Sequence, residues 1–328
     1  MAVTSKGTAA GLVDWRTVER LTALIPAGPS ASRSARASSV AVLRRSALEA
    51  PAWVARITGL NRAAQQVAET TRVSVVDRAG LVRVSTRALR GLMEQVPAPQ
   101  ASEAVRLVGA AEMAGAMSLL ATRLLGQVVP AAGTGGDGDG GRGGEASPHL
   151  LLVAPNVLAM RRQLDLDMLD LPAWVCLHEM THAVQLAAAP WLGPYLSDSM
   201  RMVIGAVVEA VYGGPGGGAD GTGEQGLRRR PGRAARIAAR AGRGRVLEGL
   251  TNFKERSEVA SLAAALTFLE GHAEVVLDDV HPNRMPSVHR LRAVLSRSRA
   301  ADAGIGPGPG LGSLLLHRLM GLEAKEAQ

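Results

Sequence analysis

Residues 170–190 read DLPAWVCLHEMTHAVQLAAAP and contain His178-Glu179-Met180-Thr181-His182, an H-E-x-x-H motif. The segment predicts a helix. Asp170 and Pro172 suit its first turn, and Pro190 stops it. Ala173, Cys176, Leu177, Met180, Ala183, Val184 and Ala187 recur at helical spacing as an apolar stripe for burial. The two histidines then lie one turn apart on another face, expected to line a cleft. Two imidazoles so placed can hold one zinc ion, with Glu179 beside them to take a proton. Taken alone, the motif also fits two histidines on a helix face with a solvated glutamate. A third ligand separates the two readings.

The place to look for it is the apolar helix predicted over 257–280, SEVASLAAALTFLEGHAEVVLDDV. Glu270 and Glu274 are four residues apart and share one face, whereas His272 points elsewhere. One carboxylate can be a ligand while the other holds an imidazole N–H in place. Gly271 would let a neighbouring helix approach closely. An amphipathic helix with a charged face is the competing reading. The flanking residues, almost all apolar, argue against it.

The chain has 328 residues, 47% of them hydrophobic, enough for one large core or two smaller ones. Only 2% are aromatic, so the core must be built from Leu, Val, Ala and Met. The formal net charge is +8, yet of 37 basic residues only Lys6, Lys254 and Lys325 are lysines. This Arg-, Ala- and Gly-rich composition accords with a GC-rich coding sequence, which makes basicity a weak pointer to nucleic acid. The eight arginines between Arg228 and Arg245 have no aromatic residues among them to stack on bases. A solvated insertion is expected there rather than a nucleic-acid or acidic-partner patch. Cys176 is the only cysteine, so no intrachain disulfide can form, which fits a reducing compartment. The first 15 residues lack the apolar core of a secretory signal. No uncharged apolar run reaches the ~18 residues of a membrane span. The closest stretch, 103–129, carries Arg106, Glu112 and Arg123. A soluble, cytoplasmic protein is the expectation.

Along the chain, 1–13 and 321–328 read as loose termini around a single domain spanning 14–320. Helices are expected over 14–25, then over 40–48 and 52–66 with a break near Pro51. VSVVD at 73–77 reads as a strand, followed by a helix over 84–96 capped by Ser85 or Thr86. Residues 101–129 read as one long core helix. The Gly-rich 131–147 fits neither a phosphate loop nor a calcium loop, and is expected to be a flexible insertion. HLLLVA at 149–154 is a strand, followed by a helix over 157–164 and another over 195–212. Residues 213–246 form a second Gly- and Arg-rich insertion. The fold class is mainly α (α+β), with a small sheet near the motif helix.

Glu270-Gly271-His272-Ala273, following H-E-x-x-H, resembles the glutamate-zincin group of metallopeptidases. The resemblance implies His178, His182 and Glu270 as ligands of Zn2+, Glu179 as general base, and Glu274 as the carboxylate that orients a ligand histidine. LLLVAPN (150–156), WVCLHEMTHAVQLAAAPWL (174–192) and LEGHAEVVLDDV (269–280) are similar to an actinobacterial family of zincin-like zinc-dependent metalloproteases or hydrolases. Some of its members are labelled as associated with deazaflavin-cofactor biosynthesis. VVDRAGLVR (75–83) resembles it more weakly. The family implies a peptide or protein substrate, cleaved at an amide bond by a zinc-activated water. The 149–154 strand would then be an edge that pairs with the extended peptide.

Three features depart from the family pattern. The insertions are longer, the gap from His182 to Glu270 is wide, and the chain ends at Gln328, where members usually continue. Histidine is the commoner zinc ligand, which keeps His272 as a rival, but helical phase and the Glu-Gly-x-Ala match favour Glu270. His149, His289 and His317 read as incidental. His281, Tyr195 and Tyr212 are weak candidates for stabilising an oxyanion. Two other functions fit less well. One is a non-catalytic zincin-like scaffold that binds a partner, for which Glu179 would have no use. The other is an arginine-driven nucleic-acid-binding protein.

Overall fold

Two long helices packed side by side carry the core. α2 (Arg33–Thr58) lies along α7 (Asp170–Ala188), the motif helix. Leu43, Ala47, Ala50 and Val54 recur every three or four residues on α2 and are buried. The two helices approach closely enough for Cys176 Sγ to lie 3.5 Å from the Leu43 carbonyl. The computed structural model describes residues 7–129, 148–212 and 253–301. The insertions expected at 131–147 and 213–246, His317 and the 321–328 terminus lie outside the described residues.

The expected break at Pro51 is absent. α2 runs through it, with Pro51 buried. A proline costs one backbone hydrogen bond, but the stripe on both sides of it packs on one partner, and that packing overrides the local signal. α2 ends instead at Gly59, whose φ of +74° supplies the left-handed cap and whose N–H reaches the Ala55 carbonyl. α3 (Asn61–Thr70) follows and also packs on α7.

Residues 7–13, expected to be loose, are anchored. β1 (Gly7–Thr8) pairs antiparallel with β3 (Pro97–Ala98), and Ala9, Ala10, Leu12 and Val13 are buried. α1 (Trp15–Thr22) is capped by Asp14, which accepts from the Arg16 amide. α4 (Arg78–Glu94) starts earlier than expected because Asp77 is its cap, accepting from the Gly80 N–H. Ser85, the expected cap, is instead buried within α4 and donates to Gln127 Oε1 at 3.2 Å.

The largest departure concerns 101–129. α5 spans Glu103–Arg123, Leu124 turns extended, and Gly126–Val129 form strand β4. The Ala/Leu composition runs on without a break, so only Gly126 and the β-branched Val128–Val129 pair mark the change. Asn156 holds the turn. Its Nδ2 donates to the carbonyls of Ala121 (2.8 Å) and Leu124 (2.7 Å), and its Oδ1 accepts from Arg78 Nε (2.7 Å). Asn156→Ala should strand these buried groups and lower stability by about 2–4 kcal/mol, read as a shifted urea midpoint.

β5 (His149–Val153) is the middle strand of the sheet β2-β5-β4. It is parallel to β2 (Arg72–Val76) and antiparallel to β4. Leu150 and Leu152 enter the core on α2 and α7, whereas Leu151 and Val153 enter the one on α4 and α5. A run apolar at every position is what a strand covered on both faces requires. The expectation that this strand is a free edge is therefore overturned. Among the described residues, β4 pairs with β5 alone and forms the edge beside α7.

α6 (Ala154–Gln163) leads into α7. After α7 come α8 (Leu192–Tyr212), α9 (Phe253–Asp278) and α10 (Val288–Ala301). The N-terminus of α7 is tied to α10 by Asp170, which accepts from the Ser287 amide at 2.7 Å. α9 packs on both α7 and α8. The buried hydrophobic residues are mainly Leu, Val, Ala and Met, with Trp174 the aromatic exception among the described ones. α5 and the Ser257–Asp278 part of α9 are long and apolar enough to cross a membrane by length and composition, a test that core helices also pass.

Candidate metal centre

α7 is buried nearly all round through its middle, so the histidine face does not line an open cleft as expected. His178 is 1% exposed and Glu179 2%. What covers the histidines is α9. It places Glu270 Oε2 3.4 Å from His178 Nε2 and Glu270 Oε1 3.6 Å from His182 Nε2. The two histidine Nε2 atoms are 3.1 Å apart. One ligand atom from each of the three residues falls within 4.8 Å of the others. The centre is least covered at His182 and Glu270, whose side chains are 14% and 18% exposed.

The donor set suits a cation. Glu270 Oε2 is buried without a completed hydrogen bond, and each oxygen of this carboxylate faces one imidazole nitrogen. Two histidines and one carboxylate, with other positions left open, is a common zinc donor set in hydrolytic sites. Trp174, one turn before His178, stacks on that imidazole with centroids 5.6 Å apart and planes 10° apart, fixing its plane.

The charges are strongly coupled. Burial works against ionising Glu270, but hydrogen bonds and charge from His178 and His182 outweigh it and hold the carboxyl at about 2. Burial would lower His182, yet the hydrogen bond to Glu270 and the negative charges of Glu270 and Glu179 raise it to about 9. Glu179 is pushed up to about 7, chiefly by burial. The charge of Glu270 adds to the rise, while the charge of His182 and the Val128 backbone amide oppose it.

Glu179 faces β4. A Cβ at Gly126 would lie 2.7 Å from its Cγ and 3.1 Å from its Cδ, so glycine is what lets the strand pass this close. Oε2 of Glu179 is buried without a hydrogen-bond partner. Neither Gly126 nor Val128 could be found from a sequence reading that ran a helix through both.

His272 is not in the cluster. Its Nδ1 meets the Gln185 side chain at 2.8 Å. Glu274 is half-buried on α9, and the Nδ1 of His182 meets Gln185 Oε1 at 2.8 Å. Gln185 was missed, although 178, 182 and 185 share one helix face and phase alone would have found it. His281 is exposed and accepts from the Asn283 amide, His149 meets Ser74, and Tyr195 meets the Trp191 ring edge-on. The Tyr212 side chain lies outside the described residues.

Compared with known families, residues 13–328 match the zincin-like metallopeptidase family. The chain belongs to that family. No curated protein and no solved structure matches it. In this zincin-like chain the helix pair α7–α9, rather than the sheet, gathers the possible metal ligands. The sheet contributes the wall behind Glu179.

Proposed function

We propose that this zincin-like protein is a zinc-dependent peptidase with His178, His182 and Glu270 as its metal ligands and Glu179 as its general base. The convergence of these three donors, with a buried carboxylate beside them, carries the reading. A zinc ion held there would acidify a bound water and polarise a substrate carbonyl. Glu179 takes the proton as the water adds to the carbonyl carbon. It then returns that proton to the departing amine as the C–N bond breaks. Its place beside the three donors, on the same helix as two of them, suits it to both steps. β4, the edge strand beside Glu179, offers its backbone for an extended peptide to join as a further strand.

The test is hydrolysis of a mixed peptide library by the full chain, before and after metal is stripped with a chelator. Activity should disappear on stripping and return with one equivalent of zinc. A zinc-loaded, folded protein that cleaves nothing in such a library would count against the peptidase reading. Gly126→Ala probes the wall behind the base. The added Cβ must displace the Glu179 side chain, and kcat should fall about 10- to 100-fold with zinc content unchanged.

A further inference from the structure

We infer that Gln185 is a positioning residue that sets the tautomer of His182 and locks α9, with Glu270, onto α7. The inference rests on the metal-centre reading above. The side chain of Gln185 makes three polar contacts: Oε1 with His182 Nδ1 at 2.8 Å, Nε2 with the Leu269 carbonyl at 2.9 Å, and Nε2 with His272 Nδ1 at 2.8 Å. The Leu269 carbonyl can only accept, which fixes the amide orientation with Nε2 toward α9. Oε1 must then face His182, and since it too can only accept, His182 carries its proton on Nδ1. The His182 Nε2 that faces His178 and Glu270 is left as the metal-binding nitrogen.

The second amide hydrogen of Gln185 goes to His272 Nδ1, which must accept, so the His272 proton sits on Nε2. Both hydrogens and the oxygen of the carboxamide are thereby used, and Gln185 is only 8% exposed. Leu269 directly precedes Glu270, so one side chain orients one ligand directly and holds the backbone beside another. The residue type is specific. A carboxylate here would still accept from His182, but its second oxygen would oppose the Leu269 carbonyl.

The experiment compares full-length wild type, Gln185→Met and Gln185→Glu. Zinc affinity is read by competition with a chromophoric chelator, and ligand geometry by the visible absorption of the cobalt(II)-substituted proteins. Gln185→Met should weaken zinc binding about 10- to 100-fold and alter the cobalt bands. Gln185→Glu, which keeps the acceptor for His182, should recover part of the affinity. Wild-type affinity and spectrum in Gln185→Met would overturn the inference, as would equal losses in both variants. If Gln185→Met does not fold, the nitrogen shifts of zinc-loaded wild type decide. Protons on His182 Nδ1 and His272 Nε2 support the inference, and a proton on His272 Nδ1 overturns it. Wild type that binds no zinc would instead remove the metal-centre reading beneath it.

Discussion

Glu179→Gln is expected to lose about 100- to 10,000-fold in kcat on amide substrates while retaining its zinc. The substitution keeps the shape of a side chain wedged against Gly126 and removes only its ability to take up a proton. None of the three proposed ligands is altered, so metal content separates loss of the base from loss of the site. The fold should not suffer. Burial raises the Glu179 carboxyl to about 7, so in the metal-free protein the folded state holds this proton more tightly than the unfolded one. That group costs stability as pH rises from about 4.5 to about 7, and the cost is constant above that. Gln at this position stays neutral, so metal-free Glu179→Gln should be at least as stable as wild type at pH 8 by urea unfolding. A variant that is folded, zinc-loaded and fully active would remove Glu179 from the mechanism.

The second large effect is expected at Glu270. Its carboxylate is the one anionic donor among the three clustered residues, and it faces both His178 Nε2 and His182 Nε2. Glu270→Ala leaves two imidazole nitrogens 3.1 Å apart without the carboxylate that faces both. Zinc affinity should fall by more than the roughly 10- to 100-fold typical of losing a residue that only supports a ligand. After dialysis, metal content by mass spectrometry should drop from one equivalent to a small fraction. His272→Ala is the comparison that gives the result its meaning. His272 is two residues from Glu270 in sequence but engaged with Gln185, so its loss should leave zinc content near wild type. The reverse pattern, with metal kept in Glu270→Ala and lost in His272→Ala, would exchange their roles.

The grouping of His178, His182 and Glu270 was legible from helical phase together with the glutamate-zincin resemblance, which singled out Glu270 from Glu274 on the same face. Residues four apart on α7 share a face, and Glu270 and His272, two apart on α9, do not. The buried central strand was legible as an apolar run, but its place in the sheet was not, because strand order is set by non-local pairing. The stretch from 101 to 129 misled for a related reason. Its composition favours helix throughout, and the switch to β4 is stabilised by pairing with β5 and by Asn156, both distant in sequence. Pro51 misled in the opposite sense, since a local breaker was overridden by the packing of α2 on α7.

By itself, then, the sequence determined which side chains share a face on each helix, because side-chain phase along a helix is a local property, and the family resemblance implied that the two faces meet. Only the tertiary structure decided what stands behind that centre. It put Gly126 of β4 against Glu179, and it brought the Leu269 carbonyl and His272 of α9 onto the amide of Gln185. These contacts join segments tens of residues apart in sequence, and no local propensity encodes which of them will touch.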